Sequence, residues 1–296
     1  MNLLTQMQSF VRVVELGSLS AAARVLHLSL PAISRQLSEL EKELGTPLVL
    51  RSTRRLAVTD HGRDFYQRAA RILRDIDDAK ASVASDGARG TLVVSCGVTL
   101  GMGLIVPQLA ALHRAYPELV VELRLEDHVV DLLADGVDVA IRAGVAPPDS
   151  TGLVAQPIAT FERVLVAAPS YLRKRKVAAE PACLVEHDCL VQVGRAGPSA
   201  TWTLTRGDET RSVGVRGPFR TTAPMALREA ALAGLGVASL TTWLVADDLT
   251  SGRLKRVLPT WLSTPASAWA IYRVEQRGSP RIKAFVQAIA PLLPKG

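Results

Sequence analysis

Residues 18–44 read SLSAAARVLHLSLPAISRQLSELEKEL. The stretch predicts two helices joined by a tight turn. Ser18 and Ser29 are good N-caps, because a serine hydroxyl accepts from a first-turn N–H that has no helical partner. Pro31 stands at the start of the second helix, where the N–H it lacks is not needed. In the first helix, about 19–26, Leu19, Ala22, Ala23 and Leu26 face inward, and the alanines admit a close neighbour. In the second, Ile33, Leu37, Leu40 and Leu44 form a buried stripe, and Gly45 ends it. Leu30, Pro31, Ser34, Arg35 and Ser38 lie around its start, off that stripe. The second helix of such a pair enters the DNA major groove, where Arg bonds guanine and Ser donates or accepts. A three-helix pack with a solvated polar face is the plainer reading of the same pattern.

The flanks add to the pattern. Residues 3–16 carry Leu3, Leu4, Met7, Phe10, Val11 and Val14 three and four apart, one apolar face of a supporting helix, with Gly17 as its stop. Residues 48–59, LVLRSTRRLAVT, alternate around a polar turn and predict a hairpin with Arg51, Arg54 and Arg55 at its tip. Cations beside a recognition helix make a wing that reaches phosphates or the minor groove. Thr59 then caps a long helix to about residue 86. On it Phe65, Ala69, Ile72, Ile76, Ala79 and Val83 alternate spacings of four and three, the seam of a coiled coil. Such a seam needs a partner, and a homodimer would present two reading heads to two half-sites.

Beyond residue 90 strand-like and helix-like runs alternate. Strands are expected near 91–96, 119–125, 137–142, 163–168, 189–193, 235–240 and 267–273. Helices are expected near 101–115, 128–135, 224–233, 243–249 and 280–293. This predicts α/β structure with a largely parallel sheet in two lobes. The expected division is a DNA-binding domain at 1–59, a dimerising linker helix and hinge at 60–90, and an effector domain at 91–296. Within the last, lobe I takes about 91–162 and 267–296, and lobe II about 163–266.

The totals agree. A chain of 296 residues suits two or three compact units, and a net charge of +7 favours a polyanionic partner. The start, MNLLTQMQSFVRVVE, does not read as a signal peptide, and Cys96, Cys183 and Cys189 cannot all pair, so the expected compartment is the cytoplasm. Residues 91–113 lack Asp, Glu, Lys and Arg, but Gly97, Gly101, Gly103 and Pro107 interrupt them, so a strand, turn and helix explain them better than a membrane span.

The chain resembles the LysR-type transcriptional regulators over essentially its full length. The match is carried by FVRVVELGSLSAAARVL at 10–26, PAISRQLSELEKELG at 31–45, LVLR at 48–51, Arg54-Arg55 and VTDHG at 58–62, with DVAIR at 138–142 and AALAGLG at 230–236 in support. The resemblance implies a winged helix-turn-helix, a long dimerising linker helix and a two-lobed effector domain similar to periplasmic binding proteins. It implies homodimers and homotetramers on double-stranded promoter DNA, contact with RNA polymerase, and promoter binding tuned by a small effector. The family's DNA-contacting positions fall on Leu30, Pro31, Ser34 and Arg35, and its wing arginines on Arg51, Arg54 and Arg55. Many members have Gln at the position of Leu30 and Phe at that of Val49, and one branch has Asn-Asp where this chain has Thr222-Ala223.

Ligands of open α/β folds bind beyond the carboxyl ends of the strands. The loop 97–101 offers Thr99, Leu100 and Gly101, with free N–H groups at a helix start that favour an anion. His128, Arg142 and Thr222 complete the expected effector site, with Arg142 either on an anion or on Asp138. The co-inducer class that suits it is a carboxylate, and no other cofactor is expected. A rival reading takes the Gly97, Gly101 and Gly103 spacing, with Glu126 as a ribose-binding acid, for an NAD(P)-dependent oxidoreductase. That chemistry needs Tyr-x3-Lys, and four residues after Tyr66, Tyr116, Tyr171 and Tyr272 stand Ala70, Val120, Arg175 and Gln276. No enzyme motif is found. Cys183, His187 and Cys189 supply too few ligands for a closed zinc site, so no metal is expected; a disulfide switch between the two thiols is the other reading.

Overall fold

The computed structural model describes residues 2–51, 56–83, 87–144, 151–175, 179–193 and 201–290, with the backbone alone for Arg51, Asp78 and residues 81–83. Arg54 and Arg55, the tip of the expected wing, lie outside the described residues, as do the side chains of Arg51 and Val83. No described helix is long and apolar enough to cross a membrane.

The first unit contains α1 (Leu3–Leu16), α2 (Leu19–Val25), α3 (Leu30–Leu44), β1 (Val49–Arg51), β2 (Leu56–Val58) and α4 (Asp60–Val83). Its caps follow the residue chemistry. Ser18 Oγ accepts from the Ala21 N–H and Ser29 Oγ from the Ala32 N–H, each at 3.3 Å. Gly17 and Gly45 end their helices at φ +60° and +68°, a conformation glycine adopts without Cβ strain. Met7, Phe10, Leu37, Leu40, Leu48 and Ala69 share one core. Glu41 Oε1 accepts from the N–H groups of Leu48 and Val49 at 2.8 and 3.1 Å, which fixes the β1–β2 hairpin beside α3.

The linker seam is only partly available to a partner. Phe65 stacks on Phe10 with ring centroids 5.6 Å apart, and Ala69 is fully buried. Ala69 belongs to the core of its own DNA-binding unit, which corrects its assignment to a dimer seam, while Phe65 packs against that core and stays half-buried. A heptad specifies an apolar stripe, not what packs on it, and α1 covers the first turns. Further along, Ile72 is 43% exposed, Ile76 half-buried and Ala79 exposed.

The second unit runs β3 (Gly90–Cys96), α5 (Val98–Leu100), α6 (Leu109–Ala115), β4 (Leu119–Leu125), β5 (Val139–Gly144), β6 (Leu153–Ala167), α7 (Pro169–Lys174), β7 (Cys189–Gln192), β8 (Thr201–Arg206), β9 (Glu209–Gly214), β10 (Arg220–Thr221), α8 (Pro224–Leu232), β11 (Val237–Thr241), α9 (Thr242–Thr250), β12 (Lys255–Val257), β13 (Leu262–Arg273) and α10 (Pro280–Ile289). Between α5 and α6 the helical path widens over Gly101–Ile105 and tightens over Val106–Gln108, where Pro107 removes a donor.

The strand order β10-β7-β11-β6-β13-β5-β3-β4 builds a mixed sheet, not the largely parallel one expected. Only the outer strands of each lobe are parallel; β6 and β13 are antiparallel to each other and to β11 and β5 respectively. These two long strands cross between the lobes. Pro157 sits in β6 where the register with β13 shifts, a place where a missing N–H is tolerated. Lobe I packs Leu92, Val94, Ile105, Ile141 and Phe285 together. In lobe II the alternating residues of β6 feed opposite faces, Leu165 with Val237 and Trp261, and Val164 and Val166 with Ala238 and Leu240.

Two further corrections concern elements. Residues 128–135 form turns instead of a helix. The Asp131 carboxylate takes the N–H groups of Leu133 and Ala134 at 2.8 and 3.0 Å, so a side chain satisfies donors that a helix would need. The β8–β9 hairpin, turning at Gly207 with φ +56°, was not expected at all.

Candidate nucleic-acid interface and effector cleft

The expected reading surface is the amino end of α3. Leu30 is 47% exposed, Pro31, Arg35 and Ser38 are exposed, and Ser34 is half-buried. Ile33, Gln36, Leu37 and Leu40 point the other way, into the unit. Gln36 bonds the buried Ser9 hydroxyl of α1, and Gln6 Nε2 donates to Glu39 at 3.2 Å. These buried polar contacts set the rotation of α3, so the polar and basic residues are the ones left facing solvent. Thr59 Oγ1 caps α4 by accepting from the Gly62 N–H at 2.9 Å and ties back to the Pro47 carbonyl at 2.8 Å. The hairpin strands therefore stand in fixed relation to α3.

A cleft of about 470 Å³ lies between the lobes. Lobe I supplies Thr99, Leu100, Asp127 and Arg142; lobe II supplies Gln192, Thr222, Leu240 and Trp243, with Phe161 and Arg163 on the crossing strand β6. Thr99, Leu100, Arg142 and Thr222 thus come together as expected. Gly101 and His128 do not. A Cβ on Gly101 would collide with the Leu125 side chain, so this glycine serves close packing. His128 is 70% exposed, with Nε2 3.3 Å from Glu126 Oε2, and only its carbonyl meets Arg142, at 3.2 Å.

One donor of the expected anion seat at the loop is engaged by the protein itself. Asp127 Oδ1 accepts the Val98 N–H at 3.0 Å. Arg142 does not pair with Asp138; its Nη2 bonds the Ser95 hydroxyl at 2.6 Å, and that hydroxyl bonds Glu126 at 2.7 Å. Burial lowers the Arg142 pKa, while Cys96, Glu126 and Asp127 oppose the shift. Asp138 lies at the opposite end of β5 and accepts the Val93 N–H at 2.8 Å.

Arg163, Gln192, Phe161 and Trp243 were missed. Arg163 Nη2 donates to the Ser239 carbonyl at 2.8 Å, and burial alone pushes its pKa down. Trp243 meets Phe161 edge-on, with centroids 6.0 Å apart. A Cβ on Gly103 would come within 2.5 Å of the Trp243 ring. The three glycines of the supposed nucleotide loop are therefore explained by the close approach of Asp127, Leu125 and Trp243. Nothing in a strand pattern marks which polar residue meets a cleft made by a distant segment.

His187 and Cys189 make local contacts within lobe II. His187 Nδ1 lies 3.1 Å from the Tyr171 hydroxyl, and Cys189 Sγ donates to the Leu184 carbonyl at 3.6 Å. Cys96, Cys183 and Cys189 are all unbridged.

Comparison with known proteins agrees with this geometry. The model of the LysR substrate binding domain matches residues 85–293, and that of the bacterial regulatory helix-turn-helix protein, lysR family, matches residues 4–63. The chain belongs to the LysR family of transcriptional regulators. This LysR-type regulator is 34% identical over 286 residues to the HTH-type transcriptional activator TtdR of Escherichia coli, covering 96% of this chain and 91% of that one. It is 31% identical over 299 residues to the probable HTH-type transcriptional regulator LtrA of Klebsiella pneumoniae, covering 99% and 96%. Among solved structures it resembles CrgA, a LysR-type regulator from Neisseria meningitidis, with a TM-score of 0.61, 27% identity and coverage of 98% and 99%. The full-length Vibrio cholerae virulence activator AphB matches with a TM-score of 0.58, 26% identity and 98% coverage of both chains. The regulator thus joins a helix-turn-helix DNA-binding unit to a curled mixed α/β regulatory domain. DNA binding, oligomerisation and modulation by a small effector are the properties of this family, and nothing in the comparisons supports an oxidoreductase.

Proposed function

We propose that this LysR-type regulator reads promoter DNA with Pro31, Ser34, Arg35 and Ser38, that Leu30 meets a thymine methyl, and that Arg51, Arg54 and Arg55 hold phosphates or the minor groove. Arg35 carries the largest share of base discrimination, because a guanidinium can bond guanine O6 and N7 together. The observation that supports the reading is the exposure of Leu30, Pro31, Arg35 and Ser38 at the amino end of α3, opposite its buried stripe. The regulator works in the cytoplasm as a homotetramer, contacts RNA polymerase and performs no catalysis of its own.

The effector sits between the lobes, against Thr99, Leu100, Arg142 and Thr222. Its binding draws lobe II toward lobe I about β6 and β13, and repacks the subunits on DNA. No further cofactor is involved. Selection of bound genomic fragments with the full-length protein tests this directly. Recovery of one promoter class with paired half-sites supports it; indiscriminate recovery, or a footprint unchanged by Arg35→Ala, rejects the assignment of the reading residues.

A further inference from the structure

The family resemblance places the effector's anion at the Gly97–Gly101 loop, but here Asp127 already accepts the Val98 N–H of that loop. Two cations face the cleft. Arg142 is engaged by the Ser95 hydroxyl and the His128 carbonyl, with Glu126 and Asp127 near enough to balance its charge. Arg163 differs. Its one hydrogen bond among the described residues goes to the Ser239 carbonyl, and no described carboxylate pairs with it. Half-buried at the rim of the cleft, its guanidinium keeps donors that no described side chain engages, and an arriving counter-charge would take them up.

Its position adds a second observation. Arg163, with Gly144, Gln192, Val193 and Ser239, lines both the 470 Å³ cleft and an adjoining chamber of about 350 Å³. The cleft in front of it presents Leu100, Phe161, Leu240 and Trp243, an apolar and aromatic wall. The chamber behind it presents Thr201, Thr203, Ser263 and Thr264, hydroxyls borne partly on the unexpected β8–β9 hairpin. The guanidinium therefore stands where an apolar space ends and a polar one begins.

We infer that Arg163 on lobe II, rather than the Gly97 loop of lobe I, holds the acidic group of the effector. The ligand class is an organic monoanion whose carboxylate meets Arg163 and whose apolar body lies against Phe161 and Trp243. A dianion is disfavoured, because Asp127 and Glu126 already answer the second cation. The inference rests on the cleft being the effector site.

The test uses the full-length protein with benzoate and hexanoate as probes, each paired with its amide, followed by calorimetric titration and thermal melting at constant ionic strength. Carboxylates are expected to bind and raise the melting temperature, and the amides to bind roughly thirtyfold more weakly, the ratio for losing a buried charge pair. Arg163→Met is expected to cost a similar factor, Arg163→Lys to restore part of it, and Arg142→Gln to cost less. Equal binding of the amides, absence of any carboxylate-specific shift, or wild-type affinity in Arg163→Met overturns the inference. Ala266→Trp, which fills the cleft, separates the two levels. If it abolishes probe binding while Arg163→Met does not, only the Arg163 assignment falls; if neither affects binding, the cleft reading falls with it.

Discussion

Arg74 of the linker helix holds its Nε 3.8 Å from the carboxylate of Asp138, at the start of the strand that carries Arg142 into the cleft. Asp138 is 2% exposed. Around this pair Arg74 Nη2 donates to the Gly136 carbonyl at 3.2 Å, Arg71 to that of Leu133 at 3.1 Å, and Arg281 to that of Arg74 at 3.3 Å. The helix bearing the DNA-binding unit is thereby fastened to lobe I by charged donors on carbonyls. Asp138→Ala strands both the Val93 N–H and the Arg74 cation. A loss of about 3 kcal/mol of stability is expected, read by chemical denaturation. Arg74→Met, at a partly exposed site, should cost about 1 kcal/mol and raise hydrogen exchange in residues 60–83 more than in the DNA-binding core.

The divided role of the linker stripe separates two phenotypes. Ile72→Asp and Ile76→Asp should lower the sedimentation mass while leaving the helical signal intact. Phe65→Asp should instead destabilise the DNA-binding unit, because it replaces the half-buried ring against Phe10 with a charge, at a cost of about 3 kcal/mol. Dissociation without unfolding in Phe65→Asp would show that the residue faces a partner after all.

On DNA, Arg35→Ala should relax preference at one base-pair position in each half-site by about 1–3 kcal/mol, with little change in salt dependence. Leu30→Gln should change which base is preferred rather than overall affinity. Competition footprinting over a randomised half-site reads both effects.

Burial pushes the Cys96 and Cys189 thiols up to about 12. The folded chain keeps these protons where the unfolded chain releases them. Stability is therefore full below the ordinary thiol range and falls as pH rises through it toward about 12. His187 acts at the other end. Burial first, and Arg175 next, lower its pKa, so the unfolded chain takes up a proton sooner and stability falls as pH drops below the ordinary imidazole range. In the native protein at pH 8, iodoacetamide should leave Cys96 and Cys189 unmodified, and half-buried Cys183 should react first.

Residues 18–44 were legible without a fold because their information is local. Ser18 and Ser29 cap within three residues, Gly17 and Gly45 stop within one turn, and the Ile33–Leu37–Leu40 stripe repeats at the helical period. The strands β3, β4, β5, β7 and β11 were legible for the same reason, whereas the β8–β9 hairpin was not. What they pack against was not. That Phe65 and Ala69 meet α1 instead of a second chain depends on the approach of a helix fifty residues upstream. That β6 and β13 run antiparallel between the lobes depends on pairing across a hundred residues. The cleft depended most on tertiary structure: Asp127 takes the donor meant for an anion, Arg142 turns to Ser95, and Arg163 is left facing the space. Sequence determined the helices of the DNA-binding unit and their caps, because hydrogen bonds and periodicity act within a few residues. Tertiary structure alone decided which charges meet and which stand unanswered, because Coulomb and packing energies depend on distance in space and not along the chain.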